Sequence, residues 1–160
     1  MSVAFRRESD EEHKEPKFEI PIPVGPNLVT RRGLRQIEER VSALEAEIAA
    51  APEELRLEEA KRDLRYWRTR LSTAQLAPQP PADEVAFGSR VTFRLGGATR
   101  TLDIVGDDEA DPVSGSISFS APLARALIGA VPGDHADFGG KADALEVLEV
   151  GPIQAETRSR

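Results

Sequence analysis

The sequence has no cysteine, one tryptophan, one tyrosine and two histidines among its 160 residues. Without cysteine there is no disulfide scaffold and no thiolate zinc site, and a reducing compartment is expected. The histidines, His13 and His135, share no metal-ligand spacing such as H-x-x-x-H. No run approaches the roughly 18 apolar residues of a membrane span. The opening MSVAFRRESDEEHKEPK lacks the apolar stretch of a signal peptide. The expectation is a cytoplasmic chain with no membrane partner. No serine lies in a G-x-S-x-G context. The glycines of GGATR and FGGKAD do not match a phosphate-cradling loop. No intrinsic catalytic constellation is present, and no cofactor of the chain's own is implied. The net charge of −7 argues against a general nucleic-acid binder, which needs a basic surface.

What is present falls into segments. The length allows one ordinary domain or two small ones. Residues 1–29 are charged and then proline-rich, with Pro21, Pro23 and Pro26 in EIPIPVGPN. They read as a mobile tail, ordered only where a partner holds it. Next come two apolar seams spaced alternately three and four: Leu34, Ile37, Val41, Leu44, Ile48, and then Leu57, Ala60, Leu64, Trp67, Leu71, Ala74. Such seams mark two amphipathic helices, about 31–49 and about 52–76. Thr30 is placed to cap the first, and Pro52 suits the first turn of the second. The short AAAPEE connection makes them antiparallel, so residues 30–76 form a coiled-coil hairpin whose seams pair with each other, and a monomer is the default. LAPQPPADE introduces a linker, residues 77–86. Residues 87–152 read as short strands (90–95, 99–105, 116–120 and 144–150) with one helix in APLARALIG, and 153–160 as a second tail. Gly96-Gly97 signals a two-residue hairpin turn. The fold class is α+β: a helical hairpin followed by a small, mostly antiparallel domain.

Charge clusters offer the chemistry. In IVGDDEAD, four acids (Asp107, Asp108, Glu109 and Asp111) fall within five positions. The EF-hand pattern needs a glycine and a distant glutamate that are absent here, so the cluster reads as a solvated turn, a protein-binding patch or, least well matched, a metal site. Glu53, Glu54, Glu58 and Glu59 stand near the hairpin tip. They complement the positive end of the second helix and pair along it, or they present carboxylates to a partner's metal. Lys61, Arg62, Arg65 and Arg68 form a basic row that either pairs with the glutamates of the first helix or faces an acidic partner.

Residues 87–133 resemble the C-terminal domain of the bacterial Gre transcript-cleavage factors. FGSRVTF, IVGDDEAD, the strand-to-helix segment around Pro122 and ARALIG with the following G-D turn carry the likeness together. VTRRGL and LSTAQL resemble the start and end of that family's hairpin. The resemblance implies an antiparallel coiled coil with an FKBP-like C-terminal domain. It implies bacterial RNA polymerase as partner, with nascent RNA touched only indirectly. The C-terminal domain would dock at the rim of the polymerase secondary channel, through Asp107, Asp108, Glu109, Asp111, Ser120, Pro122 and Arg125. The coiled coil would enter the channel with Lys61, Arg62, Arg65 and Arg68 toward its walls. Tip acids, here Glu53 and Glu54, would help hold a Mg²⁺ that belongs to the polymerase. The residue before Pro122 is usually serine in the family and is Ala121 here.

The tip departs from the family pattern. Where Gre factors carry a stretch like D-L-x-E-N-A-E-Y, this chain has P-E-E-L-R-L-E-E-A, with Leu57 in place of the second acid. Arms of 19–25 residues span only about 28–37 Å at ~1.5 Å per residue. Set beside the family it resembles, the hairpin looks several turns shorter, and oxygen ligands must lie within ~2.0–2.6 Å of a metal. Two readings follow: a channel-binding elongation regulator with weak or no cleavage stimulation, or a working cleavage factor acting through Glu53 and Glu54. A prolyl isomerase would follow only from analogy of fold.

Overall fold

A computed structural model describes residues 19–50 and 52–154. Most of the first tail and residues 155–160 lie outside them, so the expectations for those segments do too. The described residues divide into two compact units, one built on residues 37–73 with 19–25, the other on 26–36 and everything from residue 74 onward.

The helical unit is the hairpin the seams predict. Helix α1 spans Arg31–Ala49 and α2 spans Glu54–Thr73. Val41 and Leu44 of α1 bury against Ala60 and Leu64 of α2, with Ile48, Trp67 and Leu71 packed around them. Apolar area removed from water is the main stabilising term in such a seam. Alanine at position 60, with none of its surface exposed, lets the two backbones approach. The helix starts are set locally. The Thr30 hydroxyl accepts the Gly33 N–H at 3.0 Å while its carbonyl accepts the Leu34 N–H at 2.9 Å, which is an N-cap as expected. The second helix starts later than its proline suggests. The Glu53 carbonyl accepts the Leu57 N–H at 2.8 Å, so Glu53 is the cap and Pro52 precedes it. That helix also ends at Thr73 rather than at 76, because Gln75–Leu76 is taken by a strand.

The other unit is a five-stranded sheet plus a two-stranded one. Strands β1 (Leu28–Val29) and β2 (Gln75–Leu76) pair in parallel. Strands β3 (Ser89–Leu95), β4 (Ala98–Val105), β5 (Ser116–Ser118), β6 (His135–Phe138) and β7 (Lys141–Pro152) form a sheet in the order β5-β4-β3-β7-β6. All its pairs are antiparallel except β4–β5. Gly96 and Gly97 make the two-residue turn between β3 and β4 with φ of +60° and +81°, the left-handed pair that matches strand twist. Helix α3 (Pro122–Leu127) covers the apolar face through Ala124 and Leu127. Beneath it lie Val91, Phe93, Leu102, Ile104, Leu145 and Val147, alternate residues of their strands.

Four features were not in the sequence reading. Residues 135–138 form a strand, and the last strand extends to both sides of 144–150. Residues 28 and 29, read as tail, are strand residues. Val85, read as linker, is a core residue that exchanges backbone hydrogen bonds with Gly129 and Ala130 at 2.8 and 2.9 Å.

Candidate functional site

The acidic stretch 107–111 leaves the end of β4 as a tight turn, in which the Gly106 carbonyl accepts the N–H groups of Glu109 and Ala110. Its four carboxylates have different surroundings. Asp107 Oδ1 accepts the hydroxyls of Ser118 and Ser120 at 2.5 and 2.8 Å, which ties the loop to the end of β5. Glu109 points to the start of α1: its Oε1 accepts the Thr30 hydroxyl at 2.5 Å. A β-carbon on Gly33 would meet that oxygen at 2.8 Å. The carboxylate therefore lies at the positive end of the helix. Asp111 precedes the one-turn 3-10 helix Pro112–Ser114; its carbonyl accepts the Ser114 N–H, its Oδ2 accepts the Ser114 hydroxyl at 2.6 Å, and it is exposed. Asp108 is half-buried. Pro122 opens α3 and Arg125 lies in its last turn, both exposed. Ala121 precedes the helix with no side chain to cap it. The loop, Ser120 and the start of α3 are thus neighbours in the sheet unit, and Glu109 alone of the acids is committed to Thr30.

The hairpin tip is built differently. Glu53 and Glu54 are exposed, and Leu55 beside them keeps 69% of its surface. Arg56 folds back across the hairpin. Its Nε contacts Glu47 Oε1 closely and its Nη2 donates to Glu47 Oε2 at 2.7 Å, while Glu59 and Asp63 lie at 3.6 and 3.9 Å. Hydrogen bonding to Arg56 holds the Glu47 carboxyl below its ordinary value, and the same bond pushes the guanidinium up.

The basic row is occupied by acids from the same unit. Lys61 faces Glu58 at 4.0 Å, Arg62 faces Asp63 at 3.6 Å, Arg68 donates to Glu45 of α1 at 3.1 Å, and Arg65 donates to Glu19. Arg40 stacks over Trp67, 5.4 Å from the ring centre. Sequence reasoning missed Glu19, Glu47 and Ser118. Glu19 and Glu47 carry no local signal, because their partners are 46 and 9 residues away. Ser118 could have been found, since alternation along the strand expected over 116–120 puts it on the same side as Ser120, although the strand itself ends at Ser118.

Among the described residues no group of three or more histidines or carboxylates is arranged to hold a metal ion, and no helix is long and apolar enough to cross a membrane. Residues 79–152 match the family model described as "Transcription elongation factor, GreA/GreB, C-term". The chain is 35% identical to the transcription elongation factor GreA of Pseudomonas aeruginosa, over 84% of each chain. It is 36% identical to that of Roseiflexus sp., over 66% of this chain and 73% of the relative. A solved GreA/GreB factor from Nitrosomonas europaea is 23% identical, over 78% of this chain and 98% of that one, with a TM-score of 0.39.

Proposed function

Because the chain belongs to the GreA/GreB family of transcription elongation factors, we propose that it binds RNA polymerase at the secondary channel and regulates elongation there, with weak or no stimulation of transcript cleavage. In this reading the acidic loop (half-buried Asp107, Asp108 and Glu109, and exposed Asp111), with Ser120, Pro122 and Arg125, docks on the rim of the channel. The hairpin enters it. The polymerase keeps both its Mg²⁺ and the hydrolytic chemistry, so the chain is an accessory factor and not an enzyme. The reading carries with it an FKBP-like sheet unit, a monomeric chain and action in the cytoplasm. Glu109 also links the loop to the start of α1, since its Oε1 accepts the Thr30 hydroxyl.

The observation that carries the proposal is the tip. Stimulating two-metal hydrolysis requires carboxylate oxygens within ~2.0–2.6 Å of a cation. Helices of 19 and 20 residues reach about 30 Å. Past the two acids come an apolar residue and a guanidinium, Leu55 and Arg56. Leu55 offers no oxygen ligand, and Arg56 is turned back onto Glu47, Glu59 and Asp63, so those carboxylates already face a cation of the chain's own. One observation favours the alternative of an active cleavage factor: Glu53 and Glu54 are adjacent and exposed at the start of α2.

A transcript-cleavage assay separates the two. The protein is added to a backtracked elongation complex with Mg²⁺, and the RNA 3′ end is followed. The expected result is no acceleration, together with inhibition of an authentic cleavage factor added afterwards. Acceleration that disappears in Glu53→Ala/Glu54→Ala would establish the alternative.

A further inference from the structure

Residues 19–25 belong to the same compact unit as 37–73, and one of their side chains is fixed on α2. Glu19 takes the whole fork of Arg65: Nε lies 2.9 and 3.0 Å from its two oxygens and Nη2 lies 2.6 Å from one of them. A bidentate guanidinium–carboxylate contact adds direction to charge attraction. Arg62, one turn earlier on α2, strengthens the same site. It adds to the pull that Arg65, through its hydrogen bond first, exerts in holding the Glu19 carboxyl below its ordinary range. Arg62 Nε is itself buried and meets no acceptor among the described residues. The arm is not an apolar clasp. Ile20 and Pro23 are half-buried, but Ile22 is largely exposed and Val24 retains 99% of its surface. Its polar anchor among the described residues is the carboxylate on the basic row.

A surface that already holds a carboxylate discloses the chemistry it selects. We infer that the Arg62–Arg65 row of α2 is a binding surface for a carboxylate-bearing protein segment, and that residues 19–25 occupy it as a tethered competitor with Glu19 in the place of the ligand. The inference rests on the proposed reading in one respect, that RNA polymerase supplies the outside carboxylates. Glu19 already takes the Nε and Nη2 side of Arg65, so an outside carboxylate that docks on that side must displace it. Tethering gives Glu19 a high effective concentration. An exposed pair is individually weak, so the arm raises the threshold for binding without closing the surface.

The test uses the full chain and Glu19→Gln, which keeps the shape of the side chain and removes its charge. Affinity is measured for RNA polymerase core enzyme and, separately, for a synthetic oligoglutamate peptide, after circular dichroism shows the hairpin intact. Glu19→Gln is expected to bind both about two- to fivefold more tightly, the scale of an exposed ion pair. Arg65→Gln is expected to bind both more weakly, and in that background Glu19→Gln should add nothing. Unchanged or weaker peptide binding by Glu19→Gln overturns the inference. A gain seen only with complexes that contain RNA also overturns it, since the ligand would then be phosphate. A gain with the peptide, and no polymerase binding by either protein, would leave the surface in place and remove the polymerase reading.

Discussion

A methyl group added at Gly106 would enter the space of the Leu28 carbonyl oxygen, and one added at Gly33 would meet Glu109 Oε1. The two collisions differ in what can give way. Leu28 is a strand residue, its backbone fixed by the pairing of β1 with β2. Gly106→Ala must therefore move backbone, and a loss of about 1–3 kcal/mol is expected, as for other overpacked sites. Gly33 faces the end of a flexible side chain. Gly33→Ala should push Glu109 off the Thr30 hydroxyl but gain about 1 kcal/mol of helix propensity, so its net effect on stability is near zero. Thermal melts of the two variants check the contrast. Equal losses would show that Glu109 is held as firmly as backbone. In the sequence these glycines carry no label that tells them apart, because what distinguishes them is the atom opposite each, 78 residues away for one and 76 for the other.

At the scale of elements, the hairpin was legible because its pattern is local. Spacings of three and four put Val41, Leu44, Ala60 and Leu64 on facing stripes, and these residues form the buried seam. The central strands were legible for the same reason, with alternation along 90–95 and a Gly-Gly turn. The two-residue β1 and β2 are too short for any period to emerge and exist only through each other, far apart in the chain. The four-residue β6 is also too short, and it is joined to β7 by Gly139-Gly140, a turn signal like Gly96-Gly97 that the sequence reading passed over. Ion pairs between the arms were likewise hidden, and one has a measurable consequence. Glu47, bonded to Arg56, has a lowered pKa relative to the ordinary 4.5. A carboxyl depressed in the folded state stabilises it above the unfolded value, and that contribution is lost as pH falls through the folded value. The melting temperature of the wild type is therefore expected to fall as pH drops below 4.5. Glu47→Gln should start lower at neutral pH and show a shallower fall. Parallel profiles would mean that Glu47 has no part in the acid response.

At the scale of the whole molecule, a chain of net charge −7 carries a row of three arginines and a lysine on one helix, and each of them stands opposite an acid of its own unit. The site residues were readable as residue types, while their division of labour was not. Glu109 sat among the acids of one loop until its contact with Thr30 set it apart, and Arg65 was one cation of four until Glu19 was found upon it. Self-pairing of the row gives two accounts of it: the pairs hold the hairpin together, or they shield a surface that a partner uses. Reversing charge at Arg65 and Arg68 distinguishes them. Both side chains are more than half exposed, and exposed pairs contribute little to folding because water and salt screen them. Arg65→Glu/Arg68→Glu would set like charges opposite Glu19 and Glu45, yet the melting temperature should shift only slightly. Binding to RNA polymerase should weaken by about tenfold or more, since two attractive contacts become repulsive across a less hydrated interface. The loss should shrink as salt is raised. Unchanged affinity with a large drop in melting temperature would assign the row to the hairpin itself. A drop in affinity with folding preserved would assign it to the partner, and the weak internal pairs would then serve to keep the row ordered until a stronger acidic surface replaces them.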